Sequence, residues 1–199
     1  MKIYTSKSKV NCGPCSFINL MGIKGSKKLK LELSETGRLK PFYASTYSAF
    51  LIWANKYKKE ILVYTSSKKI NKKMFNLMIK YEKIPREKQK KYKKQAKELL
   101  KKRNKKFVKK IKKLKNPIKK LNELLEKGYQ VAFLISDYYL KRPRKPAPHW
   151  IVAYKKDDEQ YYFMDSATGK LKLTKKQLQK GLKLNKKQGF VPQLITYKK

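Results

Sequence analysis

Five strand-length apolar runs crowd into the chain beyond residue 128, and they limit the available folds more than any other feature. They are "YQVAFLIS" (129–136), "HWIVAYK" (149–155), "QYYFMD" (160–165), "KLKLT" (170–174) and "VPQLITY" (191–197). Each is short, and all but "KLKLT" are rich in aromatic or β-branched residues, the composition of a strand. "KKDDEQ" between the second and third is a hairpin turn. Helical signals come earlier. "CGPCSFINLMGIKG" places Pro14 in a first turn with a glycine to end it, which predicts a short buried helix starting just after Cys12. "ASTYSAFLIWANKYKKE" (44–60) predicts a second helix and "ILVY" (61–64) a short strand. "IKKLNELLEKG" is a helix stopped by Gly128, and "KKQLQKGLKL" one more near the end. Helices first and antiparallel strands later is an α+β pattern. At 199 residues the chain suits a single domain over 1–199.

Charge is the second constraint. Fifty-four Lys and Arg face 13 Asp and Glu, a formal net charge of +41. Such a field draws in polyanions without specifying a fold. The excess is mostly lysine, which a general compositional bias explains as well as a dedicated nucleic-acid site does. It is densest over about 66–115, a Lys-rich helical insertion. Within 86–115, Tyr92, Ala96, Leu99, Leu100, Phe107, Val108, Ile111 and Leu114 recur at helical spacing beneath the lysines. The expected structure is a basic amphipathic helix with a solvated outer face. Its sharper uses are non-specific polyanion (RNA or DNA) binding or a membrane-surface helix. "MKIYTSKSKV" has no apolar signal core and no run is long enough for a transmembrane segment, so the expected location is cytoplasmic, with reduced thiols.

Both cysteines stand in "VNCGPCSF". Cys12-Gly13-Pro14-Cys15 reads first as the dithiol of a thiol–disulfide oxidoreductase, where a helix N-terminus lowers the leading thiol. That reading needs a βαβ context, which the rest of the chain does not offer. The only histidine, His149, opens a strand, and Asp165 closes the next. A hairpin through "KKDDEQ" brings His149 and Asp165 together at one end of the sheet. A thiol needs a base, and the base needs a partner to fix its tautomer, so Cys12, His149 and Asp165 form a candidate Cys–His–Asp triad. A zinc centre built from these residues and Cys15 lacks the usual paired ligand spacings. No cofactor and no metal are expected.

"NCGPCSFINLMG", "IKKLNELLEKGYQVAFLIS" and "HWIVAYKKDDEQYYFMDSATGK" together resemble the C39-like branch of the papain-like cysteine peptidases, in the same order along the chain. The resemblance covers roughly the first 25 residues and 117–175. It implies a papain-like fold, with Cys12 as nucleophile, His149 as base and Asp165 as the residue that orients His149. It implies a peptide or protein substrate, an acyl-enzyme intermediate, and release to water or to an amine, so that a transferase or deamidase is a close variant. Members of the family include leader-peptide peptidases fused to transporters. No transporter segment is seen here, so the expected activity is freestanding. The family usually carries an oxyanion-donating Gln six residues before the nucleophile. Ser6 stands there, with Thr5 and Ser8 nearby, so the oxyanion candidates are Ser6 and Asn11. Cys15 is expected to be structural, or to protect Cys12 as a reversible disulfide. The alternative reading is a polyanion-binding protein on a degenerate peptidase scaffold.

Overall fold

The computed structural model describes residues 3–5, 12–42, 44–140 and 147–198. Among them are seven α-helices and one mixed seven-stranded sheet, an α+β architecture. The helices are α1 (Cys12–Met21), α2 (Lys27–Gly37), α3 (Tyr47–Lys56), α4 (Lys72–Tyr81), α5 (Arg86–Lys106), α6 (Pro117–Glu126) and α7 (Lys175–Lys187). The strands are β1 (Leu62–Thr65), β2 (Ile111–Lys113), β3 (Gln130–Ser136), β4 (Pro148–Lys156), β5 (Gln160–Asp165), β6 (Gly169–Thr174) and β7 (Gln193–Tyr197). Their order in the sheet is β2-β1-β7-β3-β4-β5-β6.

The strand period of two splits the core in two. Along β3, Ala132 and Leu134 join one buried cluster while Val131, Phe133 and Ile135 join the other. On β4, Trp150 and Val152 face the first cluster, and Ile151 and Ala153 the second. The first cluster is built with α1, α3, α4 and α5 through Phe17, Phe50, Trp53, Phe75 and Leu100. The second is capped by α6 and α7 through Leu121, Leu124 and Leu178. α1 is buried from Gly13 to Met21, so it is a core helix wrapped on every side. Gly22 ends it at φ +62°, the left-handed conformation that favours glycine.

The sequence expectation of an antiparallel sheet needs one correction: β1 and β2 pair in parallel, with Val63 opposite Ile111. The reason lies in the Lys-rich stretch. It is not one helix over 86–115, because α5 stops at Lys106 and a 3-10 turn over Val108–Lys110 leads into β2. Ile111 is buried against β1, where the backbone groups find ladder partners. Two parallel neighbours need a long crossover, and α4 and α5 are that crossover. α2 was not expected from sequence, and α4 is a separate helix within the stretch expected as a Lys-rich helical insertion. Ser26 and Asn71 start them, accepting from the N–H of Leu29 at 3.0 Å and of Met74 at 2.9 Å.

α5 is docked rather than free. Ala96 and Leu100 are buried in the first core cluster, with Tyr92 and Leu99 packed at its edge. Arg103 is 8% exposed and donates to the carbonyls of Gly37 at 2.9 Å and Arg38 at 3.1 Å, and more weakly to Thr36 at 3.4 Å. A cation thus sits on the carbonyls that end α2, where the helix dipole is negative. Burial lowers this guanidinium from 12.5 to about 10, so it stays charged at neutral pH. No helix among the described residues is long and apolar enough to cross a membrane.

Candidate active site

The site forms where the N-terminus of α1 meets the adjoining ends of β4 and β5. α1 is pinned along its length. Ser16 Oγ donates to the Trp150 carbonyl at 2.8 Å, which ties the first turn of α1 to β4. Asn19 exchanges two bonds with the backbone of Tyr4, at 2.8 Å and 3.1 Å, and holds residues 3–5 beside the helix. Gly13 is needed for close approach: a Cβ there would lie 2.7 Å from the Ser45 Cβ. That leaves Cys12, the first residue of α1, half-buried at the helix N-terminus.

His149 is the second residue of β4 and pairs with Ile135 of β3. Its position at the strand start is fixed by Asp137, which exchanges bonds with Ala147: N–H to carbonyl at 2.9 Å, and Ala147 N–H to Oδ1 at 2.6 Å. Asp165 is the last residue of β5. Extending the Val152–Met164 register puts Asp165 opposite Ile151, two residues from His149. Two residues is one period of a strand, so the His149 and Asp165 side chains leave the same face as diagonal neighbours. They meet at 2.8 Å, His149 Nε2 to Asp165 Oδ1. Both are buried, at 7% and 0% exposure.

Asp165 is held from two further directions. The Ala167 N–H donates to Oδ1 at 2.7 Å, and the Tyr139 hydroxyl to Oδ2 at 3.2 Å. Burial pushes the Asp165 carboxyl up, but the hydrogen bond and charge of His149, with these two donors, outweigh it and leave it below the ordinary 3.8. Burial pulls the His149 imidazolium down. The bonds to Asp165 and to the Cys12 thiol, and their charges, prevail and push it up to about 10. Burial likewise pushes the Cys12 thiol up. The hydrogen bond and charge of His149, and the backbone N–H groups of Trp150 and Gly13, bring it below the ordinary 9.0. Nε2 is taken by Asp165, so Nδ1 is the nitrogen left for the sulfur. The three groups favour a thiolate–imidazolium–carboxylate chain that titrates as a unit.

The structure therefore brings Cys12, His149 and Asp165 together. Cys15 is wholly buried three positions along α1. Both oxyanion candidates, Ser6 and Asn11, lie outside the described residues, as does Ser8. Sequence reasoning missed Tyr139, yet a signal was present. β3 ends opposite the start of β4, so the "DYYL" turn after Ser136 has to fall beside His149. It also missed Ser16 and the Trp150 backbone, which leave no mark in a single sequence. Among the described residues no group of three or more His, Cys, Asp or Glu is placed to hold a metal ion.

The model of the Peptidase_C39 like family matches residues 64–187. The match takes in His149, Asp165 and Tyr139, and runs through the Lys-rich crossover of α4 and α5. Cys12 precedes it. No curated protein matches the chain. With more than half its length matched, from β1 to the end of α7, the chain belongs to the Peptidase_C39 like family.

Proposed function

We propose that this chain is a cysteine peptidase of papain-like fold that cleaves peptide or related amide bonds through an acyl-enzyme. Cys12 is the nucleophile, His149 the general base and acid, and Asp165 the group that orients His149. The single observation that carries the reading is the buried 2.8 Å contact of His149 Nε2 with Asp165 Oδ1, and the same ring holds the Cys12 thiol below its ordinary value. The carboxylate fixes the tautomer, so Nδ1 faces the sulfur and accepts its proton. Cys12 Sγ attacks the carbonyl carbon. His149 Nδ1–H then protonates the leaving amine, and the acyl group passes to water or to an amine. The oxyanion forms at the start of α1, where first-turn N–H groups have no partner within the helix. Ser6 and Asn11 are the side-chain donors proposed for it. The test is turnover of a fluorogenic peptide library. Cys12→Ala and His149→Ala are expected to abolish it and Cys15→Ser to spare it. Turnover that survives Cys12→Ala ends the proposal.

A second reading, compatible with the first, is polyanion binding on the outer face of α5. Residues 86–115 carry seventeen Lys and Arg against two Glu, and Lys90, Lys94, Lys101 and Lys105 lie exposed within one face of α5. A mixed-sequence RNA or DNA duplex is expected to bind with strong salt dependence. Changing those four lysines to Gln flattens the slope, whereas the same change at Lys175, Lys176, Lys183 and Lys187 of α7 does not. Equal loss from both sets would mean that bulk charge alone is at work.

A further inference from the structure

Cys15 has no part in the chemistry proposed for Cys12, yet it occupies the same helical turn. Cys12 is the first residue of α1 and Cys15 the fourth, with Gly13 and Pro14 between them. Three residues of α-helix advance about 4.5 Å and turn about 300°, which puts the two Cα atoms about 5 Å apart. A disulfide takes Cα separations of about 4.4–6.8 Å, which this pair meets, and the Cβ atoms, about 5–6 Å apart on a helix, close to the required distance of about 4 Å by a small shift of the first turn. The two sulfurs differ in access. Cys12 is half-buried, whereas Cys15 is wholly buried. The chain has two cysteines in all, so within one molecule this is the one disulfide it can form.

We propose that Cys15 is a resolving thiol: hydroperoxides oxidise Cys12, and Cys15 captures the product as an intrahelical Cys12–Cys15 disulfide that reversibly masks the nucleophile. The inference rests on the reading of Cys12 as a reactive thiolate. In the first step Cys12 Sγ attacks hydrogen peroxide. The S–O bond forms, the O–O bond breaks, and hydroxide leaves and is protonated to water, which gives a sulfenic acid. In the second step the Cys15 sulfur attacks the sulfenic sulfur. The S–S bond forms, the S–O bond breaks, and hydroxide leaves and takes up the Cys15 proton as a second water. Two thiols lose two electrons and one peroxide gains them. A dithiol reductant restores both thiols by exchange. The burial that keeps Cys15 from direct attack leaves Cys12 as its reaction partner, so capture outruns further oxidation of Cys12 to the irreversible sulfinic acid.

The test is intact-protein mass spectrometry of the whole chain treated with hydrogen peroxide, with peptide mapping and dithiothreitol recovery. The wild type is expected to lose two hydrogens, to show a Cys12–Cys15 linked peptide, and to recover fully with dithiothreitol. Cys15→Ser, and Cys15→Ala should serine disturb folding, is expected to gain two oxygens on Cys12 and not recover. A parallel iodoacetamide reaction on the reduced protein separates the two ways of failing. Cys12 that alkylates readily but goes to sulfinic acid in the wild type, with Cys15 still reduced, overturns the resolving role alone. Cys12 inert to both reagents overturns this role and the proposed function together.

Discussion

The start of α1 and the outer face of α5 handle charge in opposite ways. At the first, two buried groups and one half-buried thiol are each satisfied by a partner from a different element: Cys12 from α1, His149 from β4, Asp165 from β5, with Tyr139 behind. At the second, lysines stand in water, and the helix is held by what lies beneath them, Arg103 on the end of α2 and the Ala96–Leu100 stripe. Buried polar groups gain from each other only while all are in place, and removing one leaves the rest exposed to the desolvation cost. Exposed charges are screened and act in sum. One changed atom at the first region therefore alters function, whereas the second tolerates single changes.

The sharpest break in that comparison is Asp165→Asn. The amide keeps the shape but no longer stabilises the charged ring or its tautomer. The expected fall in kcat is on the order of 10²–10⁴-fold with the fold intact, read by steady-state kinetics and circular dichroism. A fall of less than about threefold would mean that Asp165 serves only its turn with Ala167. The next largest effect lies under the lysines. Arg103→Met keeps an apolar stem but leaves the carbonyls of Gly37 and Arg38 without their donor. Stability is expected to fall by about 2 kcal/mol, or roughly 4–8 °C in Tm, with kcat/KM retained. An unchanged Tm would show that α5 is attached by its apolar stripe alone.

The five strands after residue 128 and the meeting of His149 with Asp165 are legible in the sequence because each rests on a local pattern that the fold obeys. Along β3 and β4 the apolar run is nearly continuous, as expected of strands covered on both faces, and in β6 it alternates. One hairpin turn was enough to join His149 to Asp165. α2 was hidden because "KKLKLELSETG" buries only Leu33 and Gly37, too few for a visible stripe. α4 falls within the expected helical insertion, but its stripe of Met74, Phe75, Met78 and Ile79 is set among dense lysine, which masks the break between it and α5. β2 is three residues long, and its identity comes from the β1 edge beside it rather than from "IKK" itself. Tyr139 lies past the end of β3, so its part at Asp165 depends on strand register, which a single sequence states weakly.

The most direct test of the account is the pH dependence of Cys12 alkylation by iodoacetamide, in the wild type and in His149→Ala, with Cys15→Ser in both. With its thiol lowered and the imidazolium raised, the pair is charged between those two titrations. Alkylation is therefore expected to rise through a pKa below the ordinary 9.0, with the imidazolium lost only near pH 10. Removing His149 takes away the main counter-charge and leaves burial, so the rise is expected to move to higher pH. A profile that stays where it was without His149 would show that the helix terminus alone sets the thiol, and would contradict the Cys–His pair on which the proposed function stands.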